Sequence, residues 1–132
     1  MTKLNQCYKN LFRNLPGSDS WEGSFYEKLV EYGIWDEHEF WKFHKDLIDI
    51  AKLIENRTVE RDIATAVVVL YVKIASLISS HFNANDIFKI QNLSDSQILE
   101  FNERLDLAVV GAFSGEILEE RRFDLRNPLL NE

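Results

Sequence analysis

The stretch Ile63-Ala64-Thr65-Ala66-Val67-Val68-Val69-Leu70-Tyr71-Val72-Lys73-Ile74-Ala75-Ser76-Leu77-Ile78 decides the fold. Its centre, from Val67 to Val72, is rich in β-branched side chains and has strong strand propensity. A strand must pair, or its backbone N–H and C=O groups go unsatisfied. No second run of this kind exists in the chain to pair with it. The run therefore reads as a helix, apolar nearly all round, as a central core helix is. It is shorter than the roughly 20 residues that cross a bilayer and holds Lys73, so a membrane anchor is not expected.

Outward from this run, apolar residues recur at helical spacing. Leu4, Cys7, Tyr8, Leu11 and Phe12 make a first stripe, broken by Pro16-Gly17. Asp19 and Glu22 offer a cap and capping partner for a second helix, which carries Trp21, Phe25, Leu29 and Tyr32 on one side and stops at Gly33. Asp36 caps a third helix with Glu39 three residues on, and Trp35 and Phe40 take the two positions of a hydrophobic staple. Phe40, Phe43, Leu47, Ile50, Ala51 and Ile54 form its stripe, with Trp41 and Ile48 as a second ridge, so it should touch two neighbours. Beyond Asn56-Arg57-Thr58 the central helix runs to about His81. Residues 83–92 read as a loop with one helical turn near Ile87. Ser94 and Gln97 then box the start of a last helix, whose stripe is Ile98, Phe101, Leu105, Ala108, Val109 and Ala112. From Arg121 the tail, with Asn127-Pro128, is expected to be extended. The expected fold is all-α: one domain over 1–132, a compact bundle of five to six helices around a central apolar helix.

Composition supports a packed domain, with 45% hydrophobic and 12% aromatic residues among 132. The 22 acids against 15 bases give a net charge of −7. Direct binding to nucleic acid or an anionic membrane is disfavoured by that sign, and a basic protein partner is favoured. The lone Cys7 allows no disulfide and no thiolate metal site within the chain. With no apolar signal core near the N-terminus, a cytoplasmic location is expected.

No constellation for catalysis stands out. His38, His44 and His81 lack partners at zinc-ligand spacing. Their plain readings are a surface side chain, a core-flanking one and a helix-terminal one. Cys7 falls on an apolar stripe and reads as a packed small side chain. Ser114 sits in Gly111-Ala112-Phe113-Ser114-Gly115, which is not a nucleophile elbow. Glu100, Glu103 and Asp106, followed by Glu116 and Glu119, have the spacing of carboxylates that share a divalent cation. A metal-dependent nucleotide hydrolase is therefore one alternative, but a solvated helix face gives the same pattern. Neither enzyme activity, metal nor cofactor is expected.

Charge is the regional anomaly. Residues 19–39 hold seven acids against Lys28 alone, a net of −6. Interleaved with them are large aromatics. Acids that steer and aromatics that anchor are the parts of an interface with a basic partner. The candidate partner-binding residues are Asp19, Trp21, Glu22, Glu27, Glu31, Trp35, Asp36, Glu37 and Glu39. The competing reading is that these acids serve helix N-termini and the aromatics fill the core.

The segment Trp35-Asp36-Glu37-His38-Glu39-Phe40-Trp41, followed by Leu47-Ile48-Asp49-Ile50, within a small acidic all-α chain, resembles the immunity proteins of bacterial polymorphic-toxin and contact-dependent growth-inhibition systems. That resemblance implies a cytosolic, non-enzymatic protein that binds and neutralises one cognate toxin domain, with a basic nuclease expected. A helical adaptor with a non-toxin partner is the other alternative. The resemblance brings no shared binding residues, and the oligomeric state stays open.

Overall fold

The apolar run is helical, as its lack of a pairing partner requires. A computed structural model describes residues 7–53 and 58–130. Among these residues there are five α-helices and no strand: α1 Lys9–Phe12, α2 Phe25–Tyr32, α3 Glu37–Leu53, α4 Arg61–Phe82 and α5 Asp95–Ser114, then a 3-10 turn at Glu120–Arg122. The all-α reading and the helix number agree with this. Leu4, Ile54, Asn56 and Arg57 lie outside the described residues.

Local signals set the helix ends. Ser94 Oγ accepts the Gln97 N–H while the Gln97 side chain accepts the Ser94 N–H, closing the capping box at α5. Asp36 Oδ1 accepts the Glu39 N–H at 3.1 Å, and Trp35 packs on Phe40 with ring centroids 5.3 Å apart, so cap and staple form at α3. The start of α2 lies further on than Asp19 suggests. Ser24 is its cap, accepting the Glu27 N–H, and residues 19–23 are turns. Gly33 ends α2 at φ +66, and a Cβ there would lie 2.5 Å from the Lys89 carbonyl oxygen, so a side chain is excluded by strain and by space.

The centre of the bundle is α3 rather than α4. It buries nine residues and packs on α1, α2 and, most extensively, α5. The second ridge of Trp41 and Ile48 makes this possible, since both are buried beside the main stripe. Helix α4 buries only the stripe Ile63, Ala66, Val67, Leu70, Ile74 and Ile78. Val68 and Val72 are 48% and 59% exposed. At 22 residues α4 is long and apolar enough to cross a membrane by length and composition alone, with a third of its apolar window buried in the bundle.

Three other expectations change. Cys7 is exposed; Tyr8, at φ −122 and ψ 51, breaks the helical phase that would have aligned Cys7 with Leu11. The segment 83–92 has no helical turn, and Ile87 is fully exposed. It is stitched to the α2–α3 connection instead. The Gln91 N–H donates to the Gly33 carbonyl at 2.7 Å, and the Asn92 side chain brackets the Trp35 backbone with two bonds of 2.8 Å. The tail after α5 folds back, and Asn127 is 2% exposed.

Leu70→Ala should cost about 2–5 kcal/mol in urea unfolding, because Leu70 has no exposed surface. Val72→Ala, on the outer face of the same helix, should stay within about 0.5 kcal/mol. Equal costs for the two would mean that α4 is not packed on one stripe.

Candidate partner-binding surfaces

The nine residues singled out in the acidic window separate into used and unused groups. Trp35 is 1% exposed, in ring contact with Phe25, Phe40 and Phe101. It is a core residue and not an exposed anchor. Glu27 is 7% exposed and its Oε1 accepts the Gly23 N–H at 3.0 Å, completing the α2 start. Asp36 takes Lys28 Nζ at 2.6 Å as well as its capping bond, and these bonds with Lys28 hold its carboxyl below the usual range against the opposing effect of burial. Glu39 receives Arg13 at 3.3 Å and Lys42 at 3.0 Å. Trp21 is half-buried. Asp19, Glu22, Glu31 and Glu37 are exposed and carry no ion pair among the described residues. Of the large aromatics in the window, Phe25 and Tyr26 are also core, and Tyr32, at 66% exposure, is the one left in solvent.

A polar cluster that sequence reasoning did not find lies between α3, α5 and the tail. Arg104, 4% exposed, pairs through both terminal nitrogens with the buried Glu120 and donates to the Leu125 carbonyl at 2.8 Å. The Phe123 ring lies 3.8 Å from its guanidinium carbon. Glu120 also accepts the Asn127 N–H, and Asn127 Nδ2 donates to the Trp41 carbonyl at 3.0 Å and to His44 Nδ1 at 2.9 Å. Arg104 approaches His44 Nε2 at 3.3 Å. Both neighbours of the His44 ring are donors. Burial, and then the Arg104 charge, push its pKa down to about 3, so the ring is neutral at physiological pH. On the opposite flank of α3, Asp46 Oδ2 accepts the Leu11 N–H at 2.9 Å and so caps α1. Burial pushes its pKa up to about 6.

The third feature is a groove between α4 and α5. Tyr71 Oη donates to Asp106 Oδ1 at 2.7 Å across it, and a depression of about 660 Å³ opens towards the α4 C-terminus. Ala75, Ser79, Phe82, Leu99 and Asn102 line this end. Near the end of α4, His81 Nδ1 accepts the Ile90 N–H, which places the proton on Nε2 facing Asp95 at 2.9 Å. In the carboxylate motif, Asp106 is tied to Tyr71 while Glu100 and Glu103 stand in solvent. Among the described residues no group of three or more His, Cys, Asp or Glu could hold a metal ion.

A helical bundle with unpaired surface acids and an open groove lined by both polar and apolar side chains has the form of a binding protein. The chain belongs to the immunity protein 41 family, whose model matches residues 13–124. No curated protein and no solved structure matches it. Family membership makes toxin neutralisation its function and a toxin its partner. The segment that carried the resemblance to immunity proteins lies inside the matched span.

Two outcomes test the buried polar groups. Glu120→Gln leaves Arg104 buried without its countercharge and should cost about 3–5 kcal/mol in urea unfolding; a cost under 1 kcal/mol would mean that the tail does not bury the pair. His44 and Asp46 act in opposite directions on acid stability. Below pH 6.5 the unfolded chain protonates His44 and the folded chain does not, so acidification destabilises by roughly 1 kcal/mol per pH unit. Between about pH 6 and 3.8 the folded chain holds a proton on Asp46 that the unfolded chain releases, so acidification stabilises with a similar slope. Asp46→Asn should therefore lose stability more steeply than wild type between pH 6 and 4. Parallel curves from urea titrations at pH 4, 5, 6 and 7 would refute the opposition.

Proposed function

We propose that the chain neutralises a basic toxin domain, a nuclease, in the cytosol, by stoichiometric binding and without catalysis of its own. The observation that carries this is the set of four exposed acids, Asp19, Glu22, Glu31 and Glu37, left without a cation while the remaining acids of the window are used internally. A nuclease must hold a polyanion and so presents cations around its substrate. Unpaired acids on an inhibitor meet those cations in place of phosphates and speed the encounter. Trp35 and Glu27, being buried, have no place in this surface.

The test uses the cognate toxin domain, identified as the tightest partner in a pull-down from the native cell. One equivalent of the chain should abolish cleavage of nucleic acid by that domain. Glu31→Lys combined with Glu37→Lys should slow association several-fold at low ionic strength and much less at high salt, since exposed charges are screened over about 8–10 Å. Trp35→Phe should lower stability and leave the dissociation rate of the folded protein unchanged. Undiminished cleavage, or association rates equal to wild type at both salts, would overturn the reading.

A further inference from the structure

We infer that the groove between α4 and α5 is the anchor site for the toxin, and that it receives an amphipathic helix with an apolar ridge and basic flanks. This rests on the toxin-binding reading above and adds a surface to it. A tight inhibitor needs buried apolar anchors as well as steering charge, and the acidic window has lost most of its aromatics to the core. The exposed apolar side chains lie elsewhere. Val68, Val72 and Phe82 on α4, and Leu99, Val110 and Phe113 on α5, are each 42–61% exposed. Monomeric proteins rarely leave a large apolar patch without a use.

The two helices run antiparallel, since Tyr71 meets Asp106 and His81 meets Asp95. In helical phase, Ala75 and Phe82 fall on the α5 side of α4, with Val68 at its outer edge, and Leu99, Val110 and Phe113 fall on the α4 side of α5. The ridges thus flank one furrow whose floor includes Ala75 and Ser79. On α5 the lining runs from Leu99 to Asp106, about 10 Å at 1.5 Å per residue, which fits two turns of a helix, and Val110 stands one turn beyond it. Small floor residues let such a helix approach closely.

Charge selects the occupant. Glu103 stands in solvent on α5, and Asp95 and Asp106 keep their carboxylates beside it while bonded to His81 and the Tyr71 hydroxyl; Lys89, held on the His81 and Asn83 carbonyls, is the cation at the groove's end. A second copy would bring the same acidic rim and meet like charge. An anionic bilayer is repelled for the same reason. A toxin segment with basic flanks is attracted. The furrow also connects to the steering acids: the Gln91–Gly33 hydrogen bond joins the loop at its end to the end of α2, which bears Glu31 and Tyr32.

The test compares Leu99→Asp/Val110→Asp and the milder Leu99→Ser/Val110→Ser with wild type, each first shown to unfold at the wild-type urea concentration. If the Asp pair fails that check, the Ser pair carries the test. The probe is the same cognate toxin domain. Dissociation should quicken about a hundredfold for the Asp pair and about tenfold for the Ser pair, with association little changed for the Ser pair. Wild-type dissociation in a folded variant would overturn the groove and leave the toxin reading standing. Failure of the wild-type chain to bind the domain would overturn both. Sedimentation of the chain alone at micromolar concentration should give a monomer; a dimer lost in the variants whose toxin binding is unchanged would assign the groove to a second copy. Flotation of wild type, but not the variants, with vesicles of one-quarter phosphatidylserine would assign it to a membrane and overturn the proposal.

Discussion

Trp35 holds the bundle together. Its ring meets Phe25 of α2 at 4.8 Å, Phe40 of α3 at 5.3 Å and Phe101 of α5 at 5.2 Å, so a single side chain joins three helices. Its backbone is gripped by Asn92 from the loop before α5. Residues 57 positions apart in sequence are thereby fixed at the connection where α2 turns into α3. Aromatic contacts of this kind add to the area that they bury, and here they also set the angle between helices. With Trp35 committed to the interior, the acids around it are left on a surface with few apolar side chains.

The Arg104 cluster does for the tail what Trp35 does for α2. A buried ion pair need not add net stability over an apolar alternative. What it adds is position: Glu120 takes both terminal nitrogens of Arg104 and the Asn127 N–H, and Asn127 reaches the Trp41 carbonyl and His44, so several bonds fix the tail at once, although Arg104 Nε is buried without a partner. The tail is therefore part of the fold, closing over α3 and α5, rather than an extended strand of chain.

What could be read from the sequence is what depends on neighbours three or four residues apart. The Ser94–Gln97 box, the Asp36 cap, the Trp35–Phe40 staple and the left-handed Gly33 all follow from local geometry, and all form. Contacts between distant residues were not legible. Arg104 meets Glu120 across 16 positions, and His44 meets Asn127 across 83; a charged residue flanking a stripe gives no sign of which side chain will cover it. The phase of α1 misled because Tyr8 leaves the helical region and moves Cys7 outward. The apolar composition of α4 could not say which side would stay uncovered, since Val68 and Leu70 are equally hydrophobic and only the second is buried. For the candidate site, sequence located the charge but assigned Trp35 and Glu27 to the surface, where neither lies.

This division has a consequence for how an inhibitor of this size can be selective. Acids act at range and give little discrimination between one basic partner and another. Apolar side chains act only in contact and discriminate by shape. Placing the two on adjoining but different elements allows each to change separately: a substitution at Glu31 or Glu37 alters no core contact, and one at Leu99 or Val110 leaves the Trp35 hub untouched. The constraint runs the other way as well. Because Val68 and Leu70 lie on one helix, the outer face of α4 can vary only within side chains that keep the helix formed, which favours exchange among apolar and small residues. On the proposed groove, specificity then turns on which side-chain shape stands at each position, on a backbone that the core holds fixed.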